Sequence, residues 1–283
     1  MSAAVDTTSM RDALYEEPGP RTKRNIRIFT AIALVLVAFL VYRIGWRFYV
    51  TGQLSAKYWS FFARWSTWKF LLDGLLGTVG VSLTAGALAL VWATVLMLGR
   101  ISERRWLSTL CHVVINFNRG VPSLLLIYFF FLVVPQYGVK MASFWMIALP
   151  VAITASGVLA EVLRAGVNAV PKGQTEAALS LGMRHMRIML KIVLPQALRI
   201  VIPSLVSQLV VVVKDTTLGY VVSYPDMLQN GRVLITNYDA LVSTYFVVAI
   251  IYILINYAIN QLSVYLARRS GNKVIARTEE NPI

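Results

Sequence analysis

Read for polarity alone, the chain is a series of apolar runs, most of them about twenty residues long, separated by polar and basic stretches. A run of that length spans the roughly 30 Å hydrocarbon core of a bilayer as a helix. None of the runs alternates as a transmembrane β-strand would. The pattern predicts six helical spans: Ile26–Ile44, Leu71–Leu98, Val121–Val134, Ser143–Leu163, Ile192–Val213 and Leu241–Leu266. The fold class is therefore all-α integral membrane.

The segments between the spans differ in character. Residues 1–25 carry Pro18, Gly19, Pro20 and mixed charges, the composition of a disordered tail. No small-residue cleavage site follows the first apolar run, so that run is expected to be retained. Between Gly45 and Lys69, Tyr58, Phe61, Phe62, Trp65 and Trp68 recur at helical spacing. Both an interfacial amphipathic helix and a plain aromatic-belt connection fit that stretch. The second span is rich in small residues, among them Gly74, Gly77, Ala85, Gly86 and Ala89, which let helices approach closely. Lys214–Asp239 is expected to be a polar outer segment, and Arg268, Arg269, Lys273 and Arg277 make the final tail basic.

Composition agrees with a membrane protein: 57% of the 283 residues are hydrophobic, only 14% are charged, and mean hydropathy is +0.65. The net charge of +14 does not point to nucleic acid, because the basic residues gather at the ends of apolar runs. With the N-terminus inside, 19 of the 27 Lys and Arg fall on the inner side and 8 on the outer, which predicts cytoplasmic N- and C-termini. The single cysteine, Cys111, excludes an intramolecular disulfide, and two histidines are too few for a His-rich metal site. No Gly-x-x-x-x-Gly-Lys-Ser/Thr sequence occurs, so the chain brings no P-loop of its own.

One polar segment, Arg164 to Lys191, stands between two long apolar runs. Within it Pro171-Lys172-Gly173-Gln174-Thr175-Glu176-Ala177-Ala178 reads as a turn and a helix start, with Thr175 able to cap and Glu176 near the positive end of the dipole. Ala177, Ala178 and Leu181 are expected to share a small-residue face suited to a groove on a partner. Composition alone leaves an ordinary basic loop equally open. Glu161 and Arg164, three apart, read either as a pathway or gate pair or as a self-neutralised helix end. Lys214 and Asp215 read either as an outer gate or as a solvated terminus. In-span polar candidates are Thr78, Ser82, Thr84, Thr154, Ser156, Ser204, Ser207, Gln208 and Asn256, most of which are expected to bond their own or a neighbouring helix.

The wording of that segment changes the balance. Glu176-Ala177-Ala178, then Gly182, Ile192 and Leu194-Pro195, resembles the Glu-Ala-Ala signature of ABC-importer permeases. Ala160-Glu161, Arg164 and Gly166, then Val170 to Gln174, Leu194 to Arg199, Lys214 to Leu218 and Asn118 to Pro122 look like the polar amino-acid uptake branch, nearest to glutamate permeases of actinobacterial type. The resemblance covers about residues 70–268, so the division expected is a tail (1–25), an extra helix with its aromatic segment (26–69), a type I permease domain of five helices (70–268) and a second tail (269–283).

The resemblance implies a multi-pass protein of the cell membrane that imports a polar amino acid, with glutamate first and arginine, glutamine or histidine as alternatives. It implies a coupling loop at Glu176, Ala177, Ala178, Leu181 and Gly182, docked into a separate ATP-binding subunit that holds the ATP and magnesium. A second permease subunit, identical or homologous, and an external substrate-binding protein are the other implied partners. A secondary transporter is the remaining alternative, though no internal repeat supports it. No catalytic residues and no metal ligands are expected in this chain.

Overall fold

The structure is a computed structural model that describes residues 19–269. Expectations placed on residues 1–18 and 270–283, most of both tails, lie outside the described residues. The described chain forms two compact units, one up to Tyr58 and one from Trp59 onward.

The first unit is dominated by one long helix, α1 (Pro20–Val50), with a short 3-10 turn at Ala56–Tyr58. The helix begins at Pro20, where the missing N–H costs nothing, so residues 20–25 are helical rather than part of a disordered tail. Its apolar stretch lies between Arg27 and Arg43, and none of its residues is buried.

The second unit is all-helical among the described residues. Its elements are α2 (Trp65–Arg100), α3 (Arg105–Gly120), α4 (Ser123–Tyr128), α5 (Ser143–Ala169), α6 (Lys172–Ser180), α7 (His185–Ile188), α8 (Leu194–Thr216), α9 (Met227–Tyr238) and α10 (Leu241–Arg269). With α1, five stretches are long and apolar enough to cross a membrane: α1, α2, α5, His185–Val222 and α10. The expected third span, Val121–Val134, falls on Ser123–Tyr137, which is joined at 95° to the preceding Arg105–Gly120. Pro122 explains the break, since it forces Val121 into extended backbone (φ −84°, ψ 126°) and cannot donate into a helix.

The aromatic segment is not one amphipathic helix either. Ser60–Ala63 is a 3-10 turn, and α2 already starts at Trp65. Phe61 is buried and stacks on Tyr238 at 4.5 Å, while Trp59 meets Phe246 edge-on. Of the spaced aromatics Phe61 thus packs against α9, while Trp65 stays exposed.

Small residues assemble this unit, as expected where lipid offers no hydrophobic drive between helices. Leu71, Gly74, Thr78, Ser82, Ala85, Ala89, Ala93 and Leu96 form the buried face of α2. One core joins Ala89, Ala93 and Met97 to Ile115 on α3, Leu159 and Leu163 on α5, and Val201 on α8. A second joins Val81 and Ala85 to Ile127, Ile147, Val151 and Val212. Gly166 on α5 sits so close to α8 that a Cβ would lie 2.6 Å from Val201 Cγ1.

The loop into α9 lies against α2 through a knot of polar bonds. Tyr224 OH donates to Gly77 O at 3.2 Å, Met227 N to Thr78 Oγ1 at 3.1 Å, and Asn230 Nδ2 to Phe70 O at 2.7 Å. Asp226 caps α9, its Oδ1 accepting from Gln229 N at 2.7 Å. The residue is 0% exposed and its Oδ2 has no partner. Burial pushes its carboxyl up to about 6, with the bonds from Gln229 and Leu228 pulling the other way.

This raised value sets a sign. Between the unfolded carboxylate range near pH 4 and about pH 6 the folded protein holds an extra proton, so stability is present at low pH and is lost as pH rises through 6. The loss amounts to about 3 kcal/mol for two pH units. Asp226→Asn keeps a capping side chain and removes the charge. Its melting temperature is expected to exceed that of the native protein by several degrees at pH 7.5 and by little at pH 4.5. An equal difference at both pH values would contradict this account of the knot.

Candidate functional site

Two places gather the polar chemistry, and the first is the segment between α5 and α8. Helix α6 starts at Lys172 with Pro171 as its cap residue, so Thr175 lies inside the first turns and does not cap. Glu176 is the fifth helical residue and is exposed. Ala178 turns inward at 3% exposure and packs with Val170, Ile188, Val193 and Ala197. Ala177 and Leu181, four apart, face outward, and Leu181 is 81% exposed. The expected common face of Ala177, Ala178 and Leu181 is therefore divided: one alanine roots the helix while the other two residues present an apolar outer edge.

Gly182 ends α6 with φ +73°, the left-handed conformation. Gly182 N donates to Leu179 O at 2.8 Å and Met183 N to Ala178 O at 3.1 Å, the paired bonds of a Schellman stop. A Cβ at Gly182 would meet nothing within 4 Å. The glycine is needed for backbone conformation, not for space.

The chain then returns through α7 and a wide π-type turn, Met189–Val193, into α8. Pro195, in the first turn of α8, cannot donate to the preceding turn, and the π-type turn precedes it. His185 Nε2 lies 3.8 Å from Glu103 Oε1 on the α2–α3 connection.

The second place is a cavity of about 200 Å³ where the α3–α4 break meets α5 and α8. Asn118, Arg119, Pro122, Ser123, Thr154, Gln208 and Asp215 supply its polar and turn positions. Helix α3 crosses α5 at Gly157, where a Cβ would lie 2.8 Å from Arg119 Cγ and 2.9 Å from Ile115 O. Asn118 Nδ2 donates to Ser156 Oγ at 3.0 Å and fixes that crossing. The break then delivers Ser123, whose Oγ donates to Asp215 Oδ2 at 2.7 Å and lies 3.1 Å from Thr154 Oγ1. Asp215 is half-buried, and among the described residues no cation lies within ion-pair distance of it. The same cavity thus carries an un-neutralised carboxylate and the exposed Arg119.

Of the four gate candidates, only Asp215 lines this cavity. Lys214 is exposed beside it. Glu161 and Arg164 close on each other, with Arg164 Nη2 to Glu161 Oε2 at 2.6 Å, as a self-neutralised pair. Most in-span hydroxyls bond their own helix or a neighbouring one: Thr84 donates to Gly80 O within α2, and Ser82 on α2 pairs with Thr216 on α8 at 2.8 Å. Arg119, Asn118 and Ser123 were not among the sequence candidates. Their signal was the Arg119-Gly120-Val121-Pro122 break at the edge of an apolar run.

Residues 85–272 match the family model described as binding-protein-dependent transport system inner membrane component. The glutamate transport system permease protein GluD of Corynebacterium glutamicum is 35% identical over 240 residues, covering 82% of this chain and 88% of that protein. The probable glutamine ABC transporter permease protein GlnP of Bacillus subtilis is 32% identical over 200 residues, covering 71% and 91%. Among solved structures, an amino acid ABC transporter crystallised with histidines aligns at TM-score 0.66 and 25% identity, over 71% of this chain and 94% of that one.

Proposed function

This chain belongs to the family of binding-protein-dependent transport system inner membrane components, and we propose that it forms the membrane pathway of an importer for L-glutamate. It is a multi-pass permease subunit of an ABC importer for amino acids, a transport component whose ATP hydrolysis belongs to a separate subunit. Such a permease works with an ATP-binding subunit and a substrate-binding protein.

The observation that carries the proposal is the cavity at the α3–α4 break, with Arg119 and Asp215 on its walls. A carboxylate without a cation partner suits the α-ammonium group of an amino acid, and a guanidinium suits its carboxylates. The relative named for glutamate supports glutamate as the cargo. At the other end, Glu176, Ala177, Leu181 and Gly182 form the surface that docks on the ATP-binding subunit, while Ala178 anchors that helix to the permease body. ATP and magnesium sit on that partner. The N- and C-termini share the coupling segment's cytoplasmic side, and a second permease subunit, identical or homologous, completes the pathway.

Uptake by the reconstituted importer, supplied with binding-protein-delivered glutamate, aspartate, glutamine, arginine and histidine, tests this reading. Glutamate is expected to be taken up fastest. Asp215→Asn removes a charged partner worth about 1.5–3 kcal/mol and is expected to lower uptake of every amino acid at least tenfold, with assembly and melting temperature unchanged. Arginine as the preferred cargo, or normal uptake by Asp215→Asn, would overturn it.

A further inference from the structure

Helix α8 carries a polar stripe that leads away from the Asp215 cavity. Ser204, Gln208, Val211 and Asp215 are spaced by four, three and four residues, so they share one face. Eleven residues of helix amount to about 16 Å. Gln208 and Asp215 line the cavity at the α3–α4 break. Gln208 and Ser204 also line a second cavity of about 290 Å³, between α8 and α10, closed on the far side by Asn260 and Ser263. Ser263 donates to Pro203 O at 2.8 Å and lies 3.1 Å from Ser207 Oγ, which holds the two helices together along the floor of this second cavity.

The surroundings make this stripe unusual. On α10 the exposed positions Ile253, Leu254, Leu262 and Tyr265 are apolar or aromatic and half or more exposed, whereas Asn260 and the adjacent exposed Gln261 are polar. Ser204, Ser207 and Asn260 are exposed as well, and on α8 the other exposed positions are Pro195, Arg199, Val211 and Lys214. An amide or hydroxyl facing hydrocarbon without a partner costs several kcal/mol. This face therefore meets water or another polar surface, not lipid tails.

We propose that the groove between α8 and α10, lined by Ser204, Gln208 and Asn260, is a water-filled lane through which the amino acid passes between the Asp215 cavity and the coupling-segment side of the membrane. The proposal rests on the transport reading above. Gln208 is the shared residue, placed to hand a charged or polar cargo from one cavity to the next by hydrogen bonds alone. The lane offers amide and hydroxyl groups and no charge, so it binds weakly enough to release.

Cysteine accessibility tests the lane, and the buried native Cys111 leaves a quiet background. The complete importer in lipid nanodiscs, with both faces reachable, is treated with a cationic membrane-impermeant methanethiosulfonate. Ser204→Cys and Asn260→Cys are expected to react at least tenfold faster than Leu262→Cys, at a half-exposed apolar position of α10. After reconstitution, labelling of Asn260→Cys is expected to lower uptake at least fivefold further than the unlabelled variant. Reaction of Asn260→Cys no faster than of Leu262→Cys would overturn the lane. So would an oxidant-induced disulfide between two subunits of the Asn260→Cys variant with uptake undisturbed, which would make this face an interface. A failure of the transport reading shows separately, as no amino-acid uptake by the native complex.

Discussion

Gly182→Val is expected to lower coupled uptake at least tenfold, while Gly182→Asn retains most of it. The contrast follows from the geometry. Gly182 holds φ +73° and a Cβ there would touch nothing within 4 Å. Size is therefore irrelevant and backbone conformation decides. Asparagine visits the left-handed region readily; a β-branched residue does so only at a cost of about 2 kcal/mol. Valine is expected to escape the strain by unwinding the stop after Ser180. That would release the paired bonds from Gly182 N and Met183 N and redirect α6, with Leu181 carried along. Because Ala178 and the rest of its buried cluster remain, the chain should still insert and fold. Uptake and substrate-stimulated ATP hydrolysis, measured on the same reconstituted complexes, read the effect. Equal losses for valine and asparagine would show that bulk, not conformation, matters at this position.

How much of this was legible in the sequence depends on the range of the interaction. Apolar run length gave five of the spans, because a helix in lipid must satisfy its own backbone and so declares its length locally. The Gly182 stop and the short helix before it were legible for the same reason, since a glycine and a Leu-Pro return are local signals, although the helix starts at Lys172 and not at Glu176. The third span was legible in part: Val121–Val134 falls on Ser123–Tyr137, but the 95° angle to α3 at Val121-Pro122 depends on packing that run length does not declare.

Facing was the other blind spot. Ala177 and Ala178 look alike in sequence, yet only Ala178 enters the cluster formed by Ile188, Val193 and Ala197, residues supplied by a later part of the chain. In sequence Asp226 is one residue of a polar outer segment, although it is buried by α2 residues about 150 positions away. The cavity at the break shows the same limit. Asp215 and Thr154 were both candidates, but Ser123, which joins them, gains its meaning only when Pro122 turns it toward α8.

The central claim is that this chain moves an amino acid only when a separate ATPase pushes on the α6 segment. The permease family puts ATP hydrolysis on a separate subunit, and the proposed contact with it is the exposed edge of Ala177 and Leu181. The most direct measurement is uptake of glutamate into proteoliposomes containing the complete importer, with an ATP-binding subunit that binds nucleotide but cannot hydrolyse it. The account predicts that uptake falls at least a hundredfold, to the level of protein-free liposomes, while the complex still assembles. Uptake that persists with the hydrolysis-dead subunit, or that follows an imposed ion gradient without ATP, would contradict it.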